Sequence, residues 1–456
     1  MSLFKKLLAL TKNIHFQSLL GNGITAVFGL VILSILYHTL PIAETGKYAL
    51  FMVTYGFVDT FRSGFLTSAF IKFYSGTQKA LANKISGSTW CLNLIVTGFL
   101  CLLSVVVSLF SVYIKDEGWL FFLKYFLWLF IAGLPFYMAS LIAQGDKRFD
   151  RLLWIKVSNQ VLYAGLILIL AFTKKATLDT VLLAYTGAFA AVSLFCMVMG
   201  WTSLGTIKQA TKSNMLQLFN FGKYSIGTNL MANLFRVTDV FFVNILGPAA
   251  IAIYYLGARL LQIIEIPLSS FVSSTMPVLS SHYNNGDKDE MMRTLKRTTG
   301  VVTMGLISIA LVSVVFAEPI IGLIGGGKYI GTEAPNVFRL FMSVAILYAA
   351  DRFFAIGVDV IHKPNVNFYK VIIMLALNAA VDWVCITYFK SVYSVVVGNI
   401  IPTAAAIIIT YIPLNKYSPL SFWEIYSTGF KEFFVLIKGF AATTLGKKKV
   451  LDEIPQ

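Results

Sequence analysis

The amino-acid sequence predicts an all-α integral membrane protein with twelve transmembrane helices in two six-helix bundles. Hydrophobic residues make up 57% of the 456 residues and charged residues only 13%, whereas a soluble domain carries about 25% charged residues. Twelve apolar windows are long enough to cross a hydrocarbon core of about 30 Å, which takes roughly 20 helical residues. The bilayer is therefore the predicted solvent of most of this chain.

The predicted spans follow one another through short connections. They lie at Leu19–Tyr37, Ala49–Ile71, Ser88–Ile114, Trp119–Ile142, Leu152–Phe172, Thr177–Trp201, Phe221–Leu246, Ala249–Met276, Thr298–Phe316, Phe338–Ile361, Phe368–Phe389 and Val392–Ile412.

The basic residues predict the orientation of these spans. With both termini in the cytoplasm, 22 Lys and Arg residues fall on inner segments and eight on outer ones. The positive-inside rule favours this topology. Much of the net charge of +16 is thus a topology signal, and the short loops leave no folded basic face for a nucleic acid.

The two ends of the chain are predicted to lie at the inner membrane surface. Residues 3–13 alternate apolar and basic positions at helical spacing, which suits a helix lying on anionic lipid headgroups. No small-residue cleavage site follows, so no signal peptide is predicted. Residues 413–456 form a predicted cytoplasmic basic tail, either with one more interfacial helix or partly disordered.

Two sequence echoes indicate an internal repeat. The segment 40–43 with Tyr48 returns about 206 residues later as 246–249 with Tyr254, and segment 73–79 resembles segment 282–288. Six spans per copy give both copies the same orientation. The predicted domains are therefore residues 1–205 and residues 212–412.

The stretch from Phe219 to Arg297 resembles a known family. It contains the motifs Leu218-Phe219-Asn220-Phe221-Gly222, Arg236-Val237-Thr238-Asp239, Leu246-Gly247-Pro248-Ala249-Ala250, Ala258-Arg259-Leu260 and Met276-Pro277-Val278-Leu279-Ser280. These motifs resemble the seventh and eighth helices of the bacterial oligosaccharide-lipid flippases. That family is the polysaccharide-exporting branch of the superfamily that also holds the MATE multidrug exporters. Residues 41–51 and 144–149 extend the likeness over most of residues 15–412.

The resemblance implies an architecture, a cargo and a location. The two bundles would form a MATE-like V-shaped arrangement in the bacterial inner membrane. The cargo would be an undecaprenyl-diphosphate-linked oligosaccharide used for surface polysaccharide such as O-antigen and lipopolysaccharide. Membrane lipids and other polysaccharide assembly proteins would be its partners. The resemblance implies no cofactor or metal, and transport could be coupled to a proton or sodium gradient.

Charged residues within the spans are the candidate functional residues, because a charge at mid-bilayer costs about 2.5–3.5 kcal/mol even on the lenient insertion scale. Arginine keeps its charge and presents a planar fork that matches phosphate oxygens. Four arginines are therefore predicted to bind the anionic cargo: Arg62, Arg236, Arg259 and Arg352. Five acids are candidates for ion coupling: Asp59, Asp239, Glu265, Asp351 and Asp382.

Spacing leaves two interpretations of some of these charges open. Asp59 and Arg62 are three residues apart, as are Arg236 and Asp239, so each pair shares a helix face. Each could be a structural ion pair or a working site. Three lysines near the inner helix ends, Lys156, Lys223 and Lys370, are predicted to extend to the membrane surface instead.

Three function classes remain for such a chain. The first is the flippase; the second is a MATE-like ion-coupled antiporter of small molecules; the third is a membrane polysaccharide polymerase or ligase. The second is disfavoured because many MATE exporters couple ions through an acidic residue in the first span, and the first span of this chain contains none. The third is disfavoured because the outer loops are too short to hold catalytic groups. The sequence therefore predicts a transporter and not an enzyme.

Overall fold

The computed structural model describes residues 14–444 and is helical almost throughout. Its first eight helices are α1 Ile14–Thr39, α2 Ile42–Tyr74, α3 Lys79–Leu109, α4 Glu117–Ala132, α5 Leu134–Gly145, α6 Phe149–Phe172, α7 Leu178–Val198 and α8 Lys212–Val243. The remainder are α9 Pro248–Leu260, α10 Gln262–Asn284, α11 Lys288–Val315, α12 Ala317–Gly325, α13 Gly327–Ile330, α14 Ala334–Val344, α15 Tyr348–Val360, α16 Pro364–Val384, α17 Val392–Gly398, α18 Ile400–Tyr417 and α19 Phe422–Thr444. The amphipathic helix predicted for residues 3–13 lies outside the described residues.

Each predicted span coincides with one helix or with two successive helices. Between residues 14 and 444, eight helical stretches are long and apolar enough to cross a membrane, and the bent pair α4–α5 would make a ninth. The charged helices α2 and α8 are not among them, since polar and charged residues lower their hydropathy. The all-helical membrane fold is confirmed, whereas the count of twelve spans stays a prediction.

Proline explains the sharpest bend inside a predicted span. Helices α4 and α5 meet at Gly133 with an angle of 45°, because Pro135 has no N–H and cannot continue α4. Ser193 forms hydrogen bonds with backbone groups on both sides of the break. Its hydroxyl donates to the Ala132 carbonyl at 2.6 Å and accepts from the Phe136 N–H at 3.1 Å.

The chain divides into two compact units. The first runs to Ala252 and includes residues 323–326, and the second holds the rest. In the first unit α2 is central and packs against α3, α4, α5 and α8. In the second, α11 packs against α10, α15 and α19, and α16 packs against α18. The predicted domains 1–205 and 212–412 remain a prediction, and the structure places α8 with α2 in the first unit.

The connection between α7 and α8 is packed tightly against α3. The buried indole of Trp90 donates to the Thr202 carbonyl at 2.8 Å. Ser88 accepts from the Thr211 N–H at 3.1 Å. A Cβ on Gly87 would lie only 2.0 Å from the Thr206 carbonyl oxygen. This segment is therefore a fixed part of the first unit.

Substituting Gly87 with valine should destabilise the first unit, because the new side chain must displace the backbone at Thr206. Overpacking of this kind costs about 1–3 kcal/mol. The matched control in the same helix is Gly98→Val, since a Cβ at Gly98 meets no atom within 4 Å. The measurement is the Tm of each purified variant in detergent. Equal Tm values for the two would contradict the close packing at Gly87.

Candidate functional site

The first candidate site is an ion pair within α2. The Nη2 atom of Arg62 lies 2.5 Å from Oδ1 of Asp59, one helical turn before it. The two side chains differ in exposure: Arg62 is 3% exposed and Asp59 is 26% exposed. The carboxylate is therefore the more accessible of the two groups, and the guanidinium lies behind it.

Aromatic rings enclose the guanidinium of Arg62. Its central carbon lies 4.2 Å from the ring centroid of Phe130 and 4.7 Å from that of Tyr137. Cations are attracted to the faces of such rings, and the attraction grows when water is excluded. Tyr137 is itself held in place, since its hydroxyl lies 3.1 Å from that of Thr67.

The bend between α4 and α5 contributes to the same site. The last carbonyl groups of a helix lack intrahelical partners, and the carbonyl of Phe130 accepts from Nη1 of Arg62 at 3.5 Å. Within the part of the chain that the structure describes, no acceptor reaches Nε of Arg62, although that atom is also buried. The guanidinium thus keeps hydrogen-bonding capacity that the protein does not use.

The second candidate site is a buried ion pair in the second unit. Nζ of Lys370 in α16 lies 2.9 Å from Oδ1 of Asp351 in α15. The lysine side chain is 8% exposed and the aspartate side chain 11% exposed. The prediction that Lys370 extends to the membrane surface is therefore wrong. A carboxylate on the neighbouring helix is close enough to compensate its charge inside the protein.

Lys370 belongs to a polar face of α16. At 100° per residue, four polar side chains fall within about 120° of each other on this helix: Asn367, Lys370, Asn378 and Asp382. The amide of Asn378 donates to Oδ2 of Asp382 at 3.1 Å. The amide of Asn367 donates to Oδ1 of Asp359 and to the Ala355 carbonyl, both at 2.8 Å. A line of polar groups therefore follows α16 through the second unit.

The remaining predicted residues of the second unit differ in burial. Arg259 is half-buried, and its guanidinium carbon lies 4.8 Å from the centroid of the Tyr255 ring. Glu265 is half-buried in α10, beyond the break at Leu261. Arg352 is exposed, since it points away from the packed face on which Asp351 lies.

Helix α8 carries two of the predicted charges, Arg236 and Asp239. Asp239 is buried, while the side chain of Arg236 lies outside the described residues. Two residues after Asp239, Phe241 packs edge-to-face on Phe57 of α2 with ring centroids 6.3 Å apart. The predicted pairing of Arg236 with Asp239 therefore remains a prediction.

Single and combined neutralisation will distinguish a structural role of these two residues from a working role. We expect Arg236→Gln and Asp239→Asn each to lower the amount of protein in the membrane, because each removes one charge of a pair at depth. The combined variant should regain normal abundance yet fail to transport. Abundance and polysaccharide export are the two measurements. Full export by the combined variant would leave only the structural role.

Sequence reasoning missed residues at both sites. Lys370 resembles any lysine near a helix end, and only the fold shows Asp351 beside it. Phe130 and Tyr137 are ordinary aromatic residues in apolar windows, although Pro135 between them was a visible signal of a helix break. Between residues 14 and 444, no cluster of three or more His, Cys, Asp or Glu side chains is placed to hold a metal ion.

Two family models match the chain. The model described as polysaccharide biosynthesis protein matches residues 10–282, and the MatE model matches residues 225–384. The first match covers more than half of the 456 residues and includes the Asp59–Arg62 pair. No curated protein matches the chain by sequence.

Solved structures share the fold. An inward-facing multidrug resistance MATE family transporter of the MOP superfamily has a TM-score of 0.73 at 13% identity, covering 87% of this chain and 96% of its own. The lipid II flippase MurJ, in an inward closed conformation, has a TM-score of 0.70 at 13% identity, covering 93% and 92%. A Vibrio cholerae MATE transporter has a TM-score of 0.56 at 18% identity, covering 91% and 97%.

These likenesses and the apolar helices confirm a multi-pass membrane protein with a MATE-like fold. They also confirm the resemblance seen in the motifs between Phe219 and Arg297. The chain belongs to the polysaccharide biosynthesis protein family, whose fold it shares with the MATE transporters.

Proposed function

We propose that this chain is a flippase for an undecaprenyl-diphosphate-linked oligosaccharide in the bacterial inner membrane, working by alternating access in surface polysaccharide biosynthesis. The family match over residues 10–282 carries the proposal. It is supported by the chemistry of the Asp59–Arg62 pair, which lies within the matched residues. Polysaccharide assembly proteins that supply or use the same lipid carrier would be its partners.

The Arg62 guanidinium suits the diphosphate of this cargo. Arginine binds phosphate through two parallel N–H···O bonds, and Arg62 has a buried Nε without an acceptor among the described residues. A phosphate oxygen would supply that acceptor. Arg236, Arg259 and Arg352 are further candidates for contacts with the two phosphates.

Asp59 would control access to Arg62. While Asp59 is ionised, its carboxylate accepts the hydrogen bond of Nη2 of Arg62 and repels an anionic cargo. When a proton or a sodium ion binds this half-buried carboxylate, the pair weakens and the guanidinium becomes available. The uptake of one cation would thereby be linked to the binding of one diphosphate. Of the two described ion pairs that contain an acid proposed for coupling, Asp59 has the more accessible carboxylate, at 26% exposure against 11% for Asp351.

The alternative function is a MATE-like ion-coupled antiporter of small molecules. It is favoured by the MatE match at residues 225–384 and by the similarity to MATE transporters of known structure. The second unit holds the acids that such coupling would need, at Glu265, Asp351 and Asp382. A buried arginine behind the more accessible Asp59 favours anionic cargo, whereas many drugs are cations.

A pair of complementation assays will separate the two functions. The chain is expressed in a strain without its own polysaccharide flippase and, separately, in a strain without its multidrug exporters. Restored surface polysaccharide with unchanged drug sensitivity is the expected result. Drug resistance without surface polysaccharide, at normal protein abundance, would replace the flippase by the antiporter.

A further inference from the structure

The C-terminal helix α19 begins at the level of a predicted membrane span. Only four residues, 418–421, separate it from α18. The Phe422 ring stacks on the Tyr411 ring with centroids 4.9 Å apart, and the Tyr411 hydroxyl donates to the Leu420 carbonyl at 2.7 Å. Tyr411 lies within the predicted span Val392–Ile412. The chain has therefore already turned back toward the membrane when α19 starts.

The contacts of α19 with α11 show the direction in which it continues. Lys296 pairs with Glu424 at 2.7 Å, Gly300 lies against Ile425 and Gly429, and Gly305 lies against the Phe433 ring. Residue numbers rise together along both helices, so the two helices run parallel.

The apolar part of α11 indicates how deep α19 lies in the membrane. Helix α11 is long and apolar enough to span a membrane, and its predicted membrane part starts at Thr298. Residues 429–433 of α19 are packed beside residues 300–305, which lie within that part. Residues 429–433 of α19 are therefore at the depth of the hydrocarbon.

The contact between the two helices has the character of a membrane helix pair. A Cβ on Gly300 would lie 2.2 Å from the Ile425 carbonyl oxygen, and one on Gly429 would lie 2.3 Å from the Gly300 carbonyl carbon. Small residues that allow such close backbone approach are typical of helices that associate within lipid. Charged contacts flank the crossing: Lys296 with Glu424, and Arg297 with Glu432 at 3.0 Å.

The face of α19 that points away from α11 is exposed and mostly apolar, and Lys431, which lies on it beyond the crossing, has a side chain long enough to extend to the headgroups. This face carries Phe430, Phe434 and Val435 beyond the crossing, and Trp423 before it. Tryptophan is enriched at the membrane interface, and large apolar side chains make favourable contacts with acyl chains. We infer that α19 is inserted in the membrane beside α11, with Phe430, Phe434 and Val435 in contact with lipid hydrocarbon. This segment would then not belong to a cytoplasmic tail, as the sequence predicts for residues 413–456.

Thiol accessibility tests the insertion directly and does not depend on any transport activity. Single cysteines replace Lys416, Trp423 and Phe434 in a chain whose four native cysteines, Cys91, Cys101, Cys196 and Cys385, have been substituted. Inside-out vesicles are treated with a membrane-impermeant maleimide. We expect Lys416→Cys to react readily and Phe434→Cys to react at least tenfold more slowly, until SDS exposes it.

Equal labelling rates for Phe434→Cys and Lys416→Cys in intact vesicles would overturn the proposal and restore the cytoplasmic tail. A second variant tests the crossing. Gly429→Leu, combined with Phe434→Cys, should raise the labelling rate toward that of Lys416→Cys, because the leucine separates α19 from α11. Ser427→Leu is the matched control on a half-buried position of the same helix and should leave the rate unchanged. If both leucine variants label alike, Gly429 does not hold the helix in place.

Discussion

Replacing Arg62 with glutamine is expected to abolish polysaccharide export while the protein remains in the membrane at near-normal abundance. The partner left behind is Asp59, whose side chain is 26% exposed and can be hydrated. Loss of one charge-assisted contact to phosphate costs about 1.5–3 kcal/mol, which is roughly tenfold to a hundredfold in cargo affinity. Export falls because the protein loses a contact with the diphosphate of the cargo, and not because the protein unfolds.

The opposite substitution should behave differently. Asp59→Asn leaves the Arg62 guanidinium, only 3% exposed, without its counter-charge, and an unpaired buried charge costs about 3–5 kcal/mol. The abundance of Asp59→Asn should therefore fall below that of Arg62→Gln, and the combined variant should recover abundance but not export. Arg293→Gln, which removes an exposed arginine, is the control. Full export by the combined variant would mean that the pair is only structural.

This asymmetry could not have been predicted from the sequence. The spacing of Asp59 and Arg62 predicts that they share a helix face, and the structure confirms that they pair. Which of the two faces solvent depends on Phe130 and Tyr137, which are about 70 residues away in the chain. Spacing along one helix determines which of its residues are neighbours, but burial is determined by the other helices.

The positions of the apolar helices along the chain were predictable, because lipid imposes a length and a composition on each span. Their extensions into water were less so: α11 begins at Lys288, ten residues before the predicted span, since its polar first turns carry charges that face the aqueous side. The same reasoning failed for Lys370. Its charge, which suggested a position at the membrane surface, is compensated by Asp351 on another helix.

The Asp351–Lys370 pair gives the prediction with the largest expected effect on stability. Both side chains are nearly sealed from solvent, so removal of either charge leaves the other without compensation. We expect Lys370→Met and Asp351→Asn each to lose about 3–5 kcal/mol of stability. Most of the protein should then disappear from the membrane, as measured by immunoblot and by the Tm of what can be purified.

The combined variant Lys370→Met with Asp351→Asn will show whether the pair has a structural role or a role in ion coupling. A sealed pair cannot exchange a proton or an ion with water without a rearrangement of α15 and α16, whereas Asp59 can do so directly. We therefore expect the combined variant to recover both abundance and export, because two neutral side chains of similar size can replace a buried ion pair at little cost. A combined variant that is abundant but inactive would instead make Asp351 a coupling acid. The polar face of α16, with Asn378 and Asp382 further along it, would then replace the half-buried carboxylate of Asp59 as the proposed route of the coupling ion.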